Sequence, residues 1–139
     1  YNGRARGGLC TQFMADEINT SGAPIGVFMS PTKSFILPDD KDTDIIMVGP
    51  GTGIAPVRAF MEQRVHDGGA GKNWLFFGDQ SEKTEFYYKD EIESWIDEGH
   101  LWRFTTAWSR DQEEKIYVQH RLKEHGAEVW EWFERGAYF

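Results

Sequence analysis

An α/β fold built on a parallel sheet is what this sequence predicts, and three observations predict it. Short apolar runs recur at residues 45–48, 73–77 and 101–108, and stretches of helical periodicity follow them. The first run, Ile45-Ile46-Met47-Val48, has no polar alternation, as expected of a strand buried on both faces of a parallel sheet. It stops at Gly49, Gly51 and Gly53, just ahead of a helix. The 139 residues suit about one domain on the usual prior of roughly 100 to 200 residues.

Residues 1–8 are rich in glycine and arginine without periodicity and read as a loop. Cys10 or Thr11 is expected to cap a short amphipathic helix carrying Phe13, Met14 and Ile18 and ending near Ser21-Gly22. Residues 25–29 and 34–37 read as short β pieces separated by Pro31 and closed by Pro38, and residues 39–42 as a solvated linker. A domain boundary is placed near Asp42, giving segments 1–42 and 43–139.

Beyond the boundary, strand 45–48 leads through Gly49-Pro50-Gly51-Thr52-Gly53-Ile54-Ala55-Pro56 into a helix. Pro56 suits its first turn, Val57, Phe60, Met61 and Val65 share one face, and His66-Asp67-Gly68-Gly69 ends it. Strand 73–77 closes on Gly78-Asp79, and a second helix places Tyr88, Ile92, Trp95 and Ile96 on one face. Strand 101–108 follows, then a helix over 117–125 stopped by Gly126, and a Trp-rich helix over 128–135. Residues 137–139 read as the first half of a fourth strand, so the sheet is expected to be truncated at its C-terminal end. Loops 49–56, 78–84 and 109–115 leave the carboxyl ends of the strands and are expected to converge, because ligands of such sheets bind there.

The glycine turn gathers unpaired N–H groups at a helix N-terminus, which favours a phosphate or pyrophosphate. It is not the Gly-x-Gly-x-x-Gly fingerprint, nor a P-loop, so a turn that merely packs tightly explains it equally well. The third loop shifts the balance. Ser109, Arg110 and Lys115 supply a hydroxyl, a guanidinium fork and an ammonium, with Tyr117 and Gln119 close behind. That set suits a 2'-phosphate beside an adenine. Asp79 competes, since a carboxylate at the end of a second strand takes the ribose 2'-OH in NAD-binding folds. Arg110 with Lys115 favours NADP.

Composition sets outer limits. A net charge of -8 argues against nucleic acid as a partner. No apolar run is long enough to span a bilayer, and residues 1–10 show no signal-peptide pattern, so no membrane partner and a cytoplasmic location are expected. Cys10, the single cysteine, has no accompanying base and reads as a small buried residue. His66, His100, His120 and His125 show no metal-ligand spacing, and no metal is expected. Arg58 reads as part of a solvated helix face.

Read together, Gly49 to Pro56, Phe76-Phe77-Gly78, Ser109-Arg110-Asp111 and Lys115-Ile116-Tyr117-Val118-Gln119 resemble the NADPH-binding half of the diflavin reductases, whose module is ferredoxin-NADP-reductase-like. Lys72 to Gly78 and Gly3-Arg4-Ala5-Arg6 resemble the branch that serves a sulfite-reducing hemoprotein, and nearly the whole chain is covered. The resemblance implies a Rossmann-like NADP-binding domain preceded by the tail of a β-rich FAD-binding domain. It implies that Ser109, Arg110 and Lys115 hold the 2'-phosphate, within a loop that runs on through Ile116 and Val118, and that Tyr117 and Gln119 complete the adenosine site. It further implies that Gly51, Thr52 and Gly53 face the pyrophosphate and nicotinamide, and that Gly8, Leu9, Cys10 and Thr11 approach the FAD pyrophosphate. The reaction implied is hydride transfer from NADPH to FAD, with electrons passing through FMN to a hemoprotein, in a parent complex that allows oligomers. The family's Arg-x-Tyr-Ser flavin motif, FMN domain, Cys-Gly-Asp segment and carboxy-terminal aromatic lie outside these residues. The catalytic residues are therefore unassigned, and the chain reads as a fragment not competent alone. A relative with another acceptor and a non-catalytic nucleotide-binding module are the competing readings.

Overall fold

The computed structural model describes residues 7–18, 21–22 and 24–139. Residues 1–6, and with them the Gly3-Arg4-Ala5-Arg6 wording, lie outside the described residues. The chain divides into two compact units, Tyr1–Ile36 and Leu37–Phe139.

In the first unit, α1 (Leu9–Gln12) continues into a π-helical stretch, Phe13–Ile18. Gly8 is its N-cap and no side chain caps it, so Cys10 and Thr11 lie inside the first turn rather than capping it. Among the described residues of this unit none is buried, and Cys10 is exposed, contrary to the expected burial. The β pieces expected at 25–29 and 34–37 are not strands. A strand needs a neighbouring ladder, and the sequence pattern cannot supply one; Val27, Phe28 and Met29 are more than four-fifths exposed.

The second unit holds a parallel sheet in the order β1-β2-β3, from β1 (Ile45–Val48), β2 (Asn73–Asp79) and β3 (Arg103–Trp108). Alternate residues face opposite layers. Ile45, Met47, Leu75 and Phe77 pack against Ile54, Val57 and Met61 of α2 (Ile54–Asp67) and Ile92 and Trp95 of α4 (Lys89–Asp97). Ile46, Trp74 and Phe76 pack against Val129 and Trp132 of α6 (Gly126–Glu134), with Leu122 of α5 (Val118–Glu124) alongside. Burial on both faces explains the unbroken apolar runs, and each such side chain contributes about 1.5–3 kcal/mol. Tyr138 bridges Ile45 in parallel, donating to the Asp44 carbonyl at 2.9 Å and accepting from Ile46 N–H at 2.8 Å. The expected fourth strand is thus present as a single bridge beside β1.

Two helix expectations change. The second helix begins only at Lys89, as α4, because Tyr88 takes a left-handed conformation, φ 56°, at its N-cap and so stands outside it; a short helix, α3 (Glu82–Glu85), forms ahead of it at the end of the expected polar loop, and Ile96 in the last turn of α4 is 41% exposed. Gly126 opens α6 instead of merely stopping α5, since its backbone is not in the left-handed region and His125 makes the break.

Candidate functional site

The three loops at the carboxyl ends of the strands meet at one cleft of about 410 Å³. The glycine turn supplies Pro50, the end of β2 supplies Gly78, Asp79 and Gln80, and β3 and the loop beyond it supply Ala107, Ser109, Arg110 and Lys115. Tyr117, Val118 and Gln119 close it from the start of α5. Of the expected nucleotide-binding residues, the cleft therefore gathers Ser109, Arg110, Lys115, Tyr117, Val118 and Gln119. Ile116 is half-buried and does not line it, nor do Gly51, Thr52 and Gly53, since Pro50 alone represents the glycine turn there.

Each part of the cleft has a physical support. Ser109 N–H donates to the Asp79 carbonyl at 2.9 Å and Arg110 N–H to the Gln80 carbonyl at 2.7 Å, so strand pairing carries over into the two loops. Ser109 is 9% exposed, whereas Arg110 and Lys115 stand in solvent. Among the described residues neither of these two cations forms an ion pair, which leaves both free for an anion. Arg121 Nε holds the Thr106 carbonyl at 2.9 Å and fixes α5 against β3. Tyr117 N–H donates to His120 Nδ1 at 3.0 Å at the helix start.

Gly78 is needed where it stands. A Cβ there would lie 2.8 Å from Val118 Cγ1 and 2.9 Å from the Ala107 carbonyl oxygen, so only glycine lets α5 sit over the end of β2. Asp111 does not line the cleft but ties its third loop to the second, a contact that the sequence did not reveal. Its Oδ2 accepts Glu82 N–H at 2.9 Å, and that bond, then one from the Ser81 side chain, holds its carboxyl below the usual range.

The glycine turn is partly self-satisfied. Gly49 packs against the turn itself, since a Cβ there would stand 3.0 Å from the Gly53 carbonyl oxygen and from Val57 Cγ2. Gly53 N–H donates to the Pro50 carbonyl at 3.0 Å and Ile54 N–H to the Gly51 carbonyl. The first amides of a helix have no partner within it, which leaves those of Gly51, φ 55°, and Thr52. The turn thus combines tight packing with two amides that have no partner within the helix. Arg58 stands on a half-exposed helix face, where it is paired rather than free: it donates to Glu91 through Nε at 2.6 Å and Nη2 at 3.1 Å and pairs with Glu62 at 2.8 Å. The Glu91 bond raises its pKa.

Gly8, Leu9, Cys10 and Thr11 belong to the first unit, where all four are exposed. The Thr11 hydroxyl lies 3.5 Å from where a Gly8 Cβ would stand. No helix among the described residues is long and apolar enough to cross a membrane.

Comparison with known proteins gives a consistent picture. The family described as oxidoreductase NAD-binding domain matches residues 47–134, which hold the end of β1, all of β2 and β3, and every residue lining the cleft. The sulfite reductase (NADPH) flavoprotein alpha-component of Klebsiella pneumoniae is 51% identical over 136 residues, covering 98% of this chain and 22% of that relative. The protein of the same description from Serratia proteamaculans is 49% identical over 137 residues, covering 99% of this chain and 23% of the relative. The Salmonella typhi protein is 51% identical over 136 residues, 98% of this chain and 22% of the relative. The chain thus spans less than a quarter of the length of the curated relatives it matches.

Proposed function

This chain belongs to the oxidoreductase NAD-binding domain family, and from that premise we propose that it is the NADPH-binding part of a flavoprotein reductase that serves a sulfite-reducing hemoprotein. The observation that carries the reading is the single cleft shared by Ser109, Arg110, Lys115, Tyr117 and Gln119, with both cations unpaired among the described residues. The Ser109 hydroxyl, the Arg110 fork and the Lys115 ammonium hold the 2'-phosphate, and Tyr117 and Gln119 take the adenosine. The free amides of Gly51 and Thr52 face the pyrophosphate, with Gly53 setting the turn.

In this reading residues 43–139 are the NADP-binding domain and residues 1–42 the tail of a FAD-binding domain, where Gly8, Leu9, Cys10 and Thr11 meet the FAD pyrophosphate. The exposed Thr11 hydroxyl, next to a position without a side chain, fits that group. The nicotinamide and the flavins supply the redox chemistry, hydride from NADPH to FAD and electrons through FMN to the hemoprotein; the residues described here bind and orient. Relatives of about 50% identity are named for NADPH and sulfite reductase, which supports this acceptor over another. A cytoplasmic setting goes with it.

Retention on immobilised 2',5'-ADP tests the nucleotide assignment. The chain should bind and be released by NADP at concentrations where NAD leaves it in place; equal release by both would refute it. The acceptor is tested with the parent flavoprotein, which should drive NADPH-dependent sulfite reduction only when the hemoprotein is added.

A further inference from the structure

Among the described residues that line the cleft, Asp79 is the one carboxylate, and it sits between the two places where phosphate charge is expected. It ends β2, the middle strand of the sheet. On one side its Oδ2 lies 3.6 Å from where a Cβ on Gly51 would stand, so it faces the glycine turn. On the other it pairs in register with Trp108 and its carbonyl accepts Ser109 N–H, so it borders the loop that carries Arg110. Its Oδ1 accepts Gln80 N–H at 2.7 Å, and among the described residues it has no ion pair.

A dinucleotide laid across these strand ends puts its pyrophosphate at the turn after β1 and its 2'-phosphate on the loop after β3. What joins those two groups is the adenosine ribose, with one phosphate on its 5' oxygen and the other on its 2' oxygen. Neighbouring strands stand about 4.8 Å apart, so the ribose falls over the end of β2. Asp79 Oδ2 is the acceptor there.

We propose that Asp79 is a specificity-determining residue that narrows the preference for NADPH over NADH, by accepting a hydrogen bond from an unphosphorylated ribose hydroxyl and opposing the charge of a 2'-phosphate. The proposal rests on the reading of the cleft as an NADP site. The carboxylate repels a dianionic phosphate a ribose width away, while a free 2'-OH can donate to it. Arg110, Lys115 and Ser109 still outweigh it, so NADP remains preferred, by a smaller margin than the same cleft would give with a neutral residue at this position.

The test is calorimetric titration of the full chain and its Asp79→Asn variant with 2',5'-ADP and with 5'-AMP, alongside Arg110→Ala. The amide keeps an acceptor for Gln80 N–H and removes the charge. Asp79→Ser serves the same purpose if the first variant does not fold, as judged by its circular dichroism. The expected result is a rise of about 3- to 10-fold in the ratio of 2',5'-ADP to 5'-AMP affinity, shrinking when salt is raised from about 0.05 to 0.3 M. An unchanged or lower ratio, in a chain that prefers 2',5'-ADP and loses that preference with Arg110→Ala, would overturn the role of Asp79 and leave the NADP site standing. A wild-type chain with no such preference would overturn both.

Discussion

Asp111 Oδ2 accepts the Glu82 backbone N–H at 2.9 Å, a bond that ties the loop after β3 to the start of α3, in the loop after β2. Asp111 follows Arg110 directly, so the contact anchors the segment proposed to hold the 2'-phosphate. Its carboxyl is held below its usual range, chiefly by that bond and then by the Ser81 side chain. A lowered folded pKa means the contribution is complete above the ordinary carboxylate value and is lost as pH falls through the lowered one. Asp111→Asn should weaken 2',5'-ADP binding roughly threefold at neutral pH, the modest scale of an exposed polar contact. The stability gap between wild type and variant, followed by thermal melts from neutral to acid pH, should close in the acid range. A gap that stays constant would assign the Asp111 contact no ionic part.

Gly78 marks the point where α5 crosses the end of β2. Gly78→Ala would put a methyl carbon 2.8 Å from Val118 Cγ1 and 2.9 Å from the Ala107 carbonyl oxygen. The Val118 side chain can shift, but a strand carbonyl cannot do so cheaply, so the variant should lose about 1–3 kcal/mol in urea unfolding. Because Tyr117, Val118 and Gln119 line the cleft, nucleotide affinity should fall as well.

Phe77 is completely buried in a three-ring cluster with Phe86 and Phe104, at centroid distances of 6.2 and 6.3 Å, with its edge contact to Trp108 at 5.4 Å. Trp108 immediately precedes Ser109. Phe77→Ala should cost about 3–5 kcal/mol, a large share of the roughly 5–15 kcal/mol that holds a domain together. Chemical denaturation against Phe77→Leu, which keeps most of the volume, should show the smaller loss for leucine.

The second unit was legible because its signals are local. Four apolar residues at 45–48, the break at Gly49 and the polar loop after Trp108 each report their own element, and the parallel pairing follows from the alternation of strand and helix. What was not legible depends on partners distant in sequence. Residues 25–29 carry β-prone side chains, yet among the described residues no ladder forms there, and residue type cannot reveal that. Tyr88 looked like one more apolar residue on a helix stripe, whereas its left-handed backbone puts it at the N-cap, outside the helix. Arg58 gave no hint that Glu91, from another helix, would occupy it. In the site, the gathering of Ser109, Arg110, Lys115, Tyr117 and Gln119 could be anticipated from their chemistry, while the contact of Asp111 could not, since its partner is a backbone amide in a different loop.

The most direct test of the central claim is titration calorimetry of 2',5'-ADP against 5'-AMP on the full chain and on Arg110→Ala. The Ser109 to Lys115 loop predicts a clear preference for the 2'-phosphate in the wild type. It predicts a loss of about 10- to 100-fold in 2',5'-ADP affinity for the variant, the scale of one or two charge-assisted hydrogen bonds, with 5'-AMP affinity unaltered. Equal affinity for both ligands in a folded wild-type chain, or an Arg110→Ala variant that keeps the preference, would contradict the claim that this cleft is an NADP site.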